Sequence, residues 1–95
     1  MTKRTVTAPA RQWTVLTAND DVTGKIRAIL DSGGPVEFQA ATTGATPADR
    51  DGAIPIRSMG DGLDGSQTLD DLFGDPALVR LFVLAESEAI ITVAY

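Results

Sequence analysis

The sequence predicts an all-β fold, a small antiparallel β-sandwich or barrel of about six strands with one short helical turn. Three observations predict it. Short runs of β-branched and aromatic residues alternate between polar and apolar along much of the chain. Gly, Pro, Asp and Asn separate those runs throughout. Residues 78–95 hold two apolar runs split by Glu86-Ser87-Glu88.

Residues 1–11 read as an extended N-terminal arm, and residues 12–95 as a single β-sandwich domain. In the arm, Thr5, Val6 and Thr7 are strand formers and Pro9 stops a helix. A disordered terminus is the alternative reading. Residues 12–18 alternate, with Trp13, Val15 and Thr17 on one side and Thr14, Leu16 and Ala18 on the other, which reads as a strand. Asn19-Asp20-Asp21 then supplies turn chemistry.

Residues 22–31 fit two patterns. Val22, Ile26, Ile29 and Leu30 share a helical face, with Asn19 or Asp20 as cap and Gly33-Gly34 as stop. In the strand reading, Ile26, Ala28 and Leu30 share one face. Strand–turn–strand is favoured, because Val36, Phe38 and Ala40 align in a clear strand just beyond the short Asp31-Ser32-Gly33-Gly34 connection, which looks like a hairpin turn.

Residues 41–68 form a long irregular centre. Within it Ala53-Ile54-Pro55-Ile56-Arg57 reads as a short strand, which its proline assigns to a sheet edge. The stretch from Met59 to Gln67 reads as a glycine-rich loop. Residues 69–77 read as one helical turn with Leu69, Leu72 and Phe73 inward, ended by Gly74 and Pro76. Residues 78–85 and 89–95 read as a β-hairpin central in the sheet. A chain cut at Glu88 is therefore expected to unfold.

With 95 residues the chain fits one domain. A domain of this size buries roughly 60–65% of its unfolded surface, so its stability as a lone monomer is modest. The sequence has no Cys and no His. That excludes disulfides, Cys/His zinc sites, Cys–His pairs and Ser–His–Asp triads, and it leaves oligomerisation as the open source of support. Eight basic residues face 13 acidic ones, a net charge of −5, so nucleic acid is not an expected partner. Lys3, Arg4 and Arg11 make a sparse basic cluster suited to a few salt bridges. The N-terminus lacks the apolar core, about 7–15 residues long, of a signal peptide. No apolar run reaches the ~18 residues of a membrane span. The expectation is synthesis in the cytosol, with retention there or release by lysis.

Four groups of residues are candidate sites. Asp49-Arg50-Asp51-Gly52 and Gly60-Asp61-Gly62-Leu63-Asp64-Gly65 have calcium-loop spacing, but neither is followed by the Glu that completes such a loop; solvated Asp/Gly turns are the better reading. Among the carboxylates, Asp70 and Asp71 suit the start of a helix, and Glu37 the polar face of a strand. General acid–base work would need one of them raised by burial, so no enzyme is expected. Of the aromatics Trp13, Phe38, Phe73, Phe82 and Tyr95, most are spaced as core residues; Trp13 and Tyr95 are the two whose exposure would suit a sugar-binding face. Neither Gly-x-Gly-x-x-Gly nor a Walker-type Gly-Lys-Ser/Thr occurs. No metal or cofactor is assigned.

One resemblance runs along the chain. It is carried by Trp13-Thr14-Val15, by Gly33-Gly34-Pro35-Val36-Glu37-Phe38, by the run from Ala45 through Asp49-Arg50-Asp51-Gly52 to Ile54-Pro55-Ile56, by Val79-Arg80-Leu81-Phe82-Val83-Leu84-Ala85, and by Ile90-Ile91-Thr92-Val93-Ala94-Tyr95. This pattern resembles the small β-sandwich structural proteins of tailed bacteriophages, namely capsid decoration (cement) proteins and head-fibre or spike modules. The resemblance implies a virion protein that assembles with itself, commonly as a trimer. It also implies contact with the major capsid protein or another virion protein on the outside of the head, with no catalytic residues. On that basis Lys3, Arg4, Thr5, Val6 and Thr7 are the expected partner-binding residues, reaching onto a neighbour by strand addition. A glycan-binding module of a tail or head fibre is the alternative, and a small enzyme ranks below it.

Overall fold

The computed structural model describes residues 2–19 and 21–95, so the turn or cap expected at Asp20 lies outside the described residues. The described chain forms a β-sandwich of two antiparallel four-stranded sheets. The strands are β1 (Lys3–Ala8), β2 (Thr14–Val15), β3 (Lys25–Ser32), β4 (Val36–Ala41), β5 (Ile54–Ile56), β6 (Gly62–Thr68), β7 (Arg80–Ala85) and β8 (Ala89–Ala94). A short helix α1 (Leu69–Phe73) follows β6. The first sheet runs β1-β8-β3-β6 and the second β2-β7-β4-β5.

The core lies between the sheets and follows the period-2 pattern. From the first sheet come Ile26, Ala28 and Leu30 of β3 and Ala89, Ile91 and Val93 of β8. From the second come Val36, Phe38 and Ala40 of β4 and Leu81, Val83 and Ala85 of β7. Residues 22–31 thus resolve as strand from Lys25 onward, with the inward set expected of a strand. Leu16, Val22 and Leu69 join the same core from outside the ladders. Burying each large aliphatic side chain contributes about 1.5–3 kcal/mol.

Both expected hairpins are corrected. β3 and β4 lie in opposite sheets, and so do β7 and β8. Residues 33–35 and 86–88 are therefore arches that carry the chain across the sandwich. β7 and β8 are each central, as expected, but in different sheets. The two arches bond to each other, Glu86 N–H donating to the Pro35 carbonyl (3.1 Å) and Ser87 Oγ to the Gly34 carbonyl (3.4 Å). Gly33 sits at φ 80°, and a Cβ there would fall 2.2 Å from the Glu88 carbonyl oxygen. Only a residue without a side chain lets the arches close to this distance. The Gly34–Pro35 peptide is cis.

Three further expectations change. The stretch read as a glycine-rich loop contains β6, which pairs with β3 through Arg27–Asp64, Ala28–Leu63 and Ile29–Gly62. The strand expected over 12–18 shortens to Thr14–Val15, and Leu16 and Thr17 are both buried beyond it. There the Thr17 hydroxyl accepts from Leu81 N–H (3.3 Å), standing in for a ladder carbonyl. The segment expected as a separate arm, residues 1–11, is largely β1, an integral strand paired over its whole length with β8. The chain leaves β1 toward the second sheet at Ala10, where Arg11 N–H bonds the Ala85 carbonyl (2.8 Å).

The helix forms where the sequence places it. The Thr68 hydroxyl accepts from Asp71 N–H while the Asp71 carboxylate accepts from Thr68 N–H, a reciprocal capping box. Gly74 closes it in the left-handed conformation.

Candidate interaction surface

The two outer faces of the sandwich differ. Over the second sheet, the connection between β4 and β5 folds back as a cover. Gln39 Nε2 donates to the Asp51 carbonyl (2.5 Å), Arg80 Nη1 to the Ala45 carbonyl (3.2 Å), and Arg50 pairs with Glu37. Hydrogen bonding and charge attraction from Glu37 raise the Arg50 pKa further above its ordinary value. Phe82 points to this outer side yet is buried, with the Arg80 guanidinium 4.9 Å from its ring centre. A cleft of about 290 Å³ remains between this cover and the end of α1, bounded by Gln39, Pro47, Asp51, Phe73 and Leu78.

The outer face of the first sheet is open instead. Its outward rows run Lys3–Ala94–Arg27–Asp64 and Thr5–Thr92–Ile29–Gly62 across the four strands, with Ala94, Thr92, Ile29 and Gly62 half-buried. Small residues in the middle leave a shallow groove of about 720 Å³, with Lys3, Lys25 and Arg27 toward one end and Asp31 and Asp64 on its walls. Thr92 donates its hydroxyl to the Asp31 carboxylate on the same face.

The five expected partner-binding residues divide by alternation. Arg4 and Val6 turn inward: Arg4 Nη1 donates to the Leu16 carbonyl (3.2 Å), and Val6 packs against the core. Lys3, Thr5 and Thr7 face out and are exposed. The backbone follows the same division. Thr2 and Tyr95 exchange both N–H···O bonds (2.7 and 2.9 Å), which fixes the phase of the β1–β8 ladder. Because bonded and non-bonded pairs alternate in an antiparallel ladder, Arg4–Val93, Val6–Ile91 and Ala8–Ala89 are the bonded pairs. Lys3, Thr5 and Thr7 then direct their N–H and C=O groups away from β8, over the edge of the sheet.

That edge is the most regular one among the described residues. β2 has two residues, and β5 has three with Pro55 at its centre. β6 faces a register shift between Lys25 and Arg27, carries glycines at positive φ, and has α1 packed beside it. β1 pairs over six residues with no bulge and no proline. The alternation of Arg4, Val6 and Ala8 against Lys3, Thr5 and Thr7 is the sequence signal that marks β1 as a sheet strand.

No family model, curated protein or solved structure matches this chain. The geometry therefore carries the functional reading.

The other sequence candidates are absorbed by local structure. Asp49 accepts from Asp51 N–H (3.0 Å), and Asp61 from Gly62 N–H (2.9 Å). Asp64 accepts from both Ser66 N–H (2.9 Å) and the Ser66 hydroxyl (2.5 Å). Those Ser66 bonds hold the Asp64 pKa below its ordinary value. The loop carboxylates thus cap their own turns. Trp13 is half-buried. Tyr95 packs against the core, and its hydroxyl accepts from Ala18 N–H (2.6 Å).

Proposed function

We propose that this protein is a virion structural subunit of the capsid-decoration type, which binds the outer surface of a tailed-phage head and works by fit rather than by catalysis. Its partners in this reading are the major capsid protein or another virion protein, together with further copies of itself. The observation that carries the proposal is the open β1 edge, where Lys3, Thr5 and Thr7 present unpaired backbone groups beside an uncovered outer face. Such an edge is a template for strand addition, in which main-chain bonds give affinity and alternate side chains give register. A domain of modest stability also gains from being held in an assembly.

Electron microscopy of particles of the phage that encodes the chain tests this reading. Density matching the sandwich on the outside of the head shell is expected, and it should vanish when the gene is deleted. Particles that lack the protein, or that carry it only inside the shell, would overturn the proposal.

A further inference from the structure

We infer that the strand received by the β1 edge is β1 of a second copy, antiparallel and centred on Thr5, so that two sandwiches share one continuous eight-stranded sheet. The inference rests on the reading of β1 as the contact element and names its partner.

Register is the argument. The outward backbone groups sit at residues 3, 5 and 7. In an antiparallel pair of identical strands related by a two-fold axis through Thr5, residue 3 lies opposite residue 7 of the other copy, and residue 5 opposite residue 5. Each outward N–H and C=O then meets another outward pair, so Lys3, Thr5 and Thr7 all become bonded positions at once. A shift of one residue would place outward groups opposite groups already bonded to β8, and no ladder could form.

Side chains agree with this register. Lys3 falls beside Thr7 of the other copy rather than beside the second Lys3, so like charges do not meet at the seam. The two Thr5 side chains meet at the axis, a favourable cross-strand pair of β-branched residues. Arg4 does not oppose the approach, because its guanidinium is turned inward to the Leu16 carbonyl. Pro9, which has no N–H, lies past the end of the strand. The arrangement is isologous and closes on itself. It therefore predicts an even-numbered assembly and not the trimer that the phage resemblance implies.

The absence of cysteine makes the test direct. In a bonded antiparallel pair the Cα atoms lie about 5.5 Å apart, within disulfide range. Thr5→Cys is expected to give a covalent dimer under mild oxidation. Lys3→Cys alone and Thr7→Cys alone should give little, while the Lys3→Cys/Thr7→Cys double variant should dimerise. Separately, Thr5→Pro removes only an outward N–H. It should keep the circular dichroism and unfolding midpoint of the parent while sedimentation shows the dimer replaced by monomer. Val6→Pro, by contrast, should lower the midpoint by breaking a bond to Ile91. Equal cross-linking of all three single variants, or a Thr5→Pro protein that stays dimeric, would overturn the inference. A parent protein that is monomeric or trimeric yet still decorates particles would overturn the inference and leave the decoration reading standing. A Thr5-centred dimer that decorates nothing would do the reverse.

Discussion

A chain ending at Glu88 is expected to be unfolded. The lost segment contains β8, which lies between β1 and β3 and pairs with both. Its removal takes Ala89, Ile91 and Val93 out of the core and leaves β1 without a neighbour in its sheet. The two large side chains alone represent about 3–6 kcal/mol of burial. The stability of a whole domain is only about 5–15 kcal/mol, and a small one lies at the low end. Far-UV circular dichroism should lose its β signature, and heating should show no cooperative transition. A sigmoidal melt from the shortened chain would contradict the placement of β8. The sequence supports the same outcome through a supposed hairpin with residues 78–85. The structural reason is different: β8 is the strand that holds β1 and β3 together, and its loss opens one whole sheet.

Replacing Gly33 by Ala is expected to cost about 2–4 kcal/mol, from left-handed backbone strain together with a clash against main chain. The methyl group would sit 2.2 Å from the Glu88 carbonyl oxygen and 2.9 Å from Ala89 Cα. Neither atom belongs to a flexible side chain, so one arch must move away from the other. The bonds from Glu86 to Pro35 and from Ser87 to Gly34 would stretch with it. In a domain this small the melting temperature should fall on the order of 10–30 °C. Gly24→Ala is the control, since a methyl group there meets nothing within 4 Å. It should shift stability by no more than about 0.5 kcal/mol. Equal midpoints for the two variants would show that the arches do not abut.

Most of the core strands were legible in the sequence, and strand partnership was not. The alternation of Ile26, Ala28 and Leu30, and of Val36, Phe38 and Ala40, reports which side of each strand faces the core. It is silent on which sheet the strand joins. A short glycine-rich connection between two such strands can turn them into neighbours or arch them across the core, and both leave the same inward residues buried. Asp31-Ser32-Gly33-Gly34 is of this kind, and the glycine-free Glu86-Ser87-Glu88 carries the same ambiguity through its shortness and polarity. β6 stayed hidden because Gly62, Asp64, Gly65 and Ser66 have turn composition, and only Leu63 along it is buried. Tertiary pairing overrides that local preference, since at Gly62 the backbone passes so close to Ala28 that a Cβ would lie 1.9 Å from its carbonyl oxygen.

The candidate surface was half legible. Lys3 to Thr7 could be singled out from β-propensity and a nearby proline. What required the structure was the phase of the ladder, set by the Thr2–Tyr95 exchange, which separates the anchoring residues Arg4 and Val6 from the presenting residues Lys3, Thr5 and Thr7. The covered face of the second sheet also had no sequence signature. Glu37 and Arg50 are 13 residues apart, and only the fold of the loop between them shows that they meet.

Hydrogen exchange at single amides of β1 tests the central claim most directly. In dilute, unassembled protein the amides of Arg4, Val6 and Ala8 should be protected by β8, while those of Lys3, Thr5 and Thr7 exchange freely. On association, whether by raising the concentration or by binding particles, Thr5 and Thr7 should become protected as well. If association leaves the exchange of Thr5 and Thr7 unchanged, strand addition at β1 is not how this protein makes its contacts.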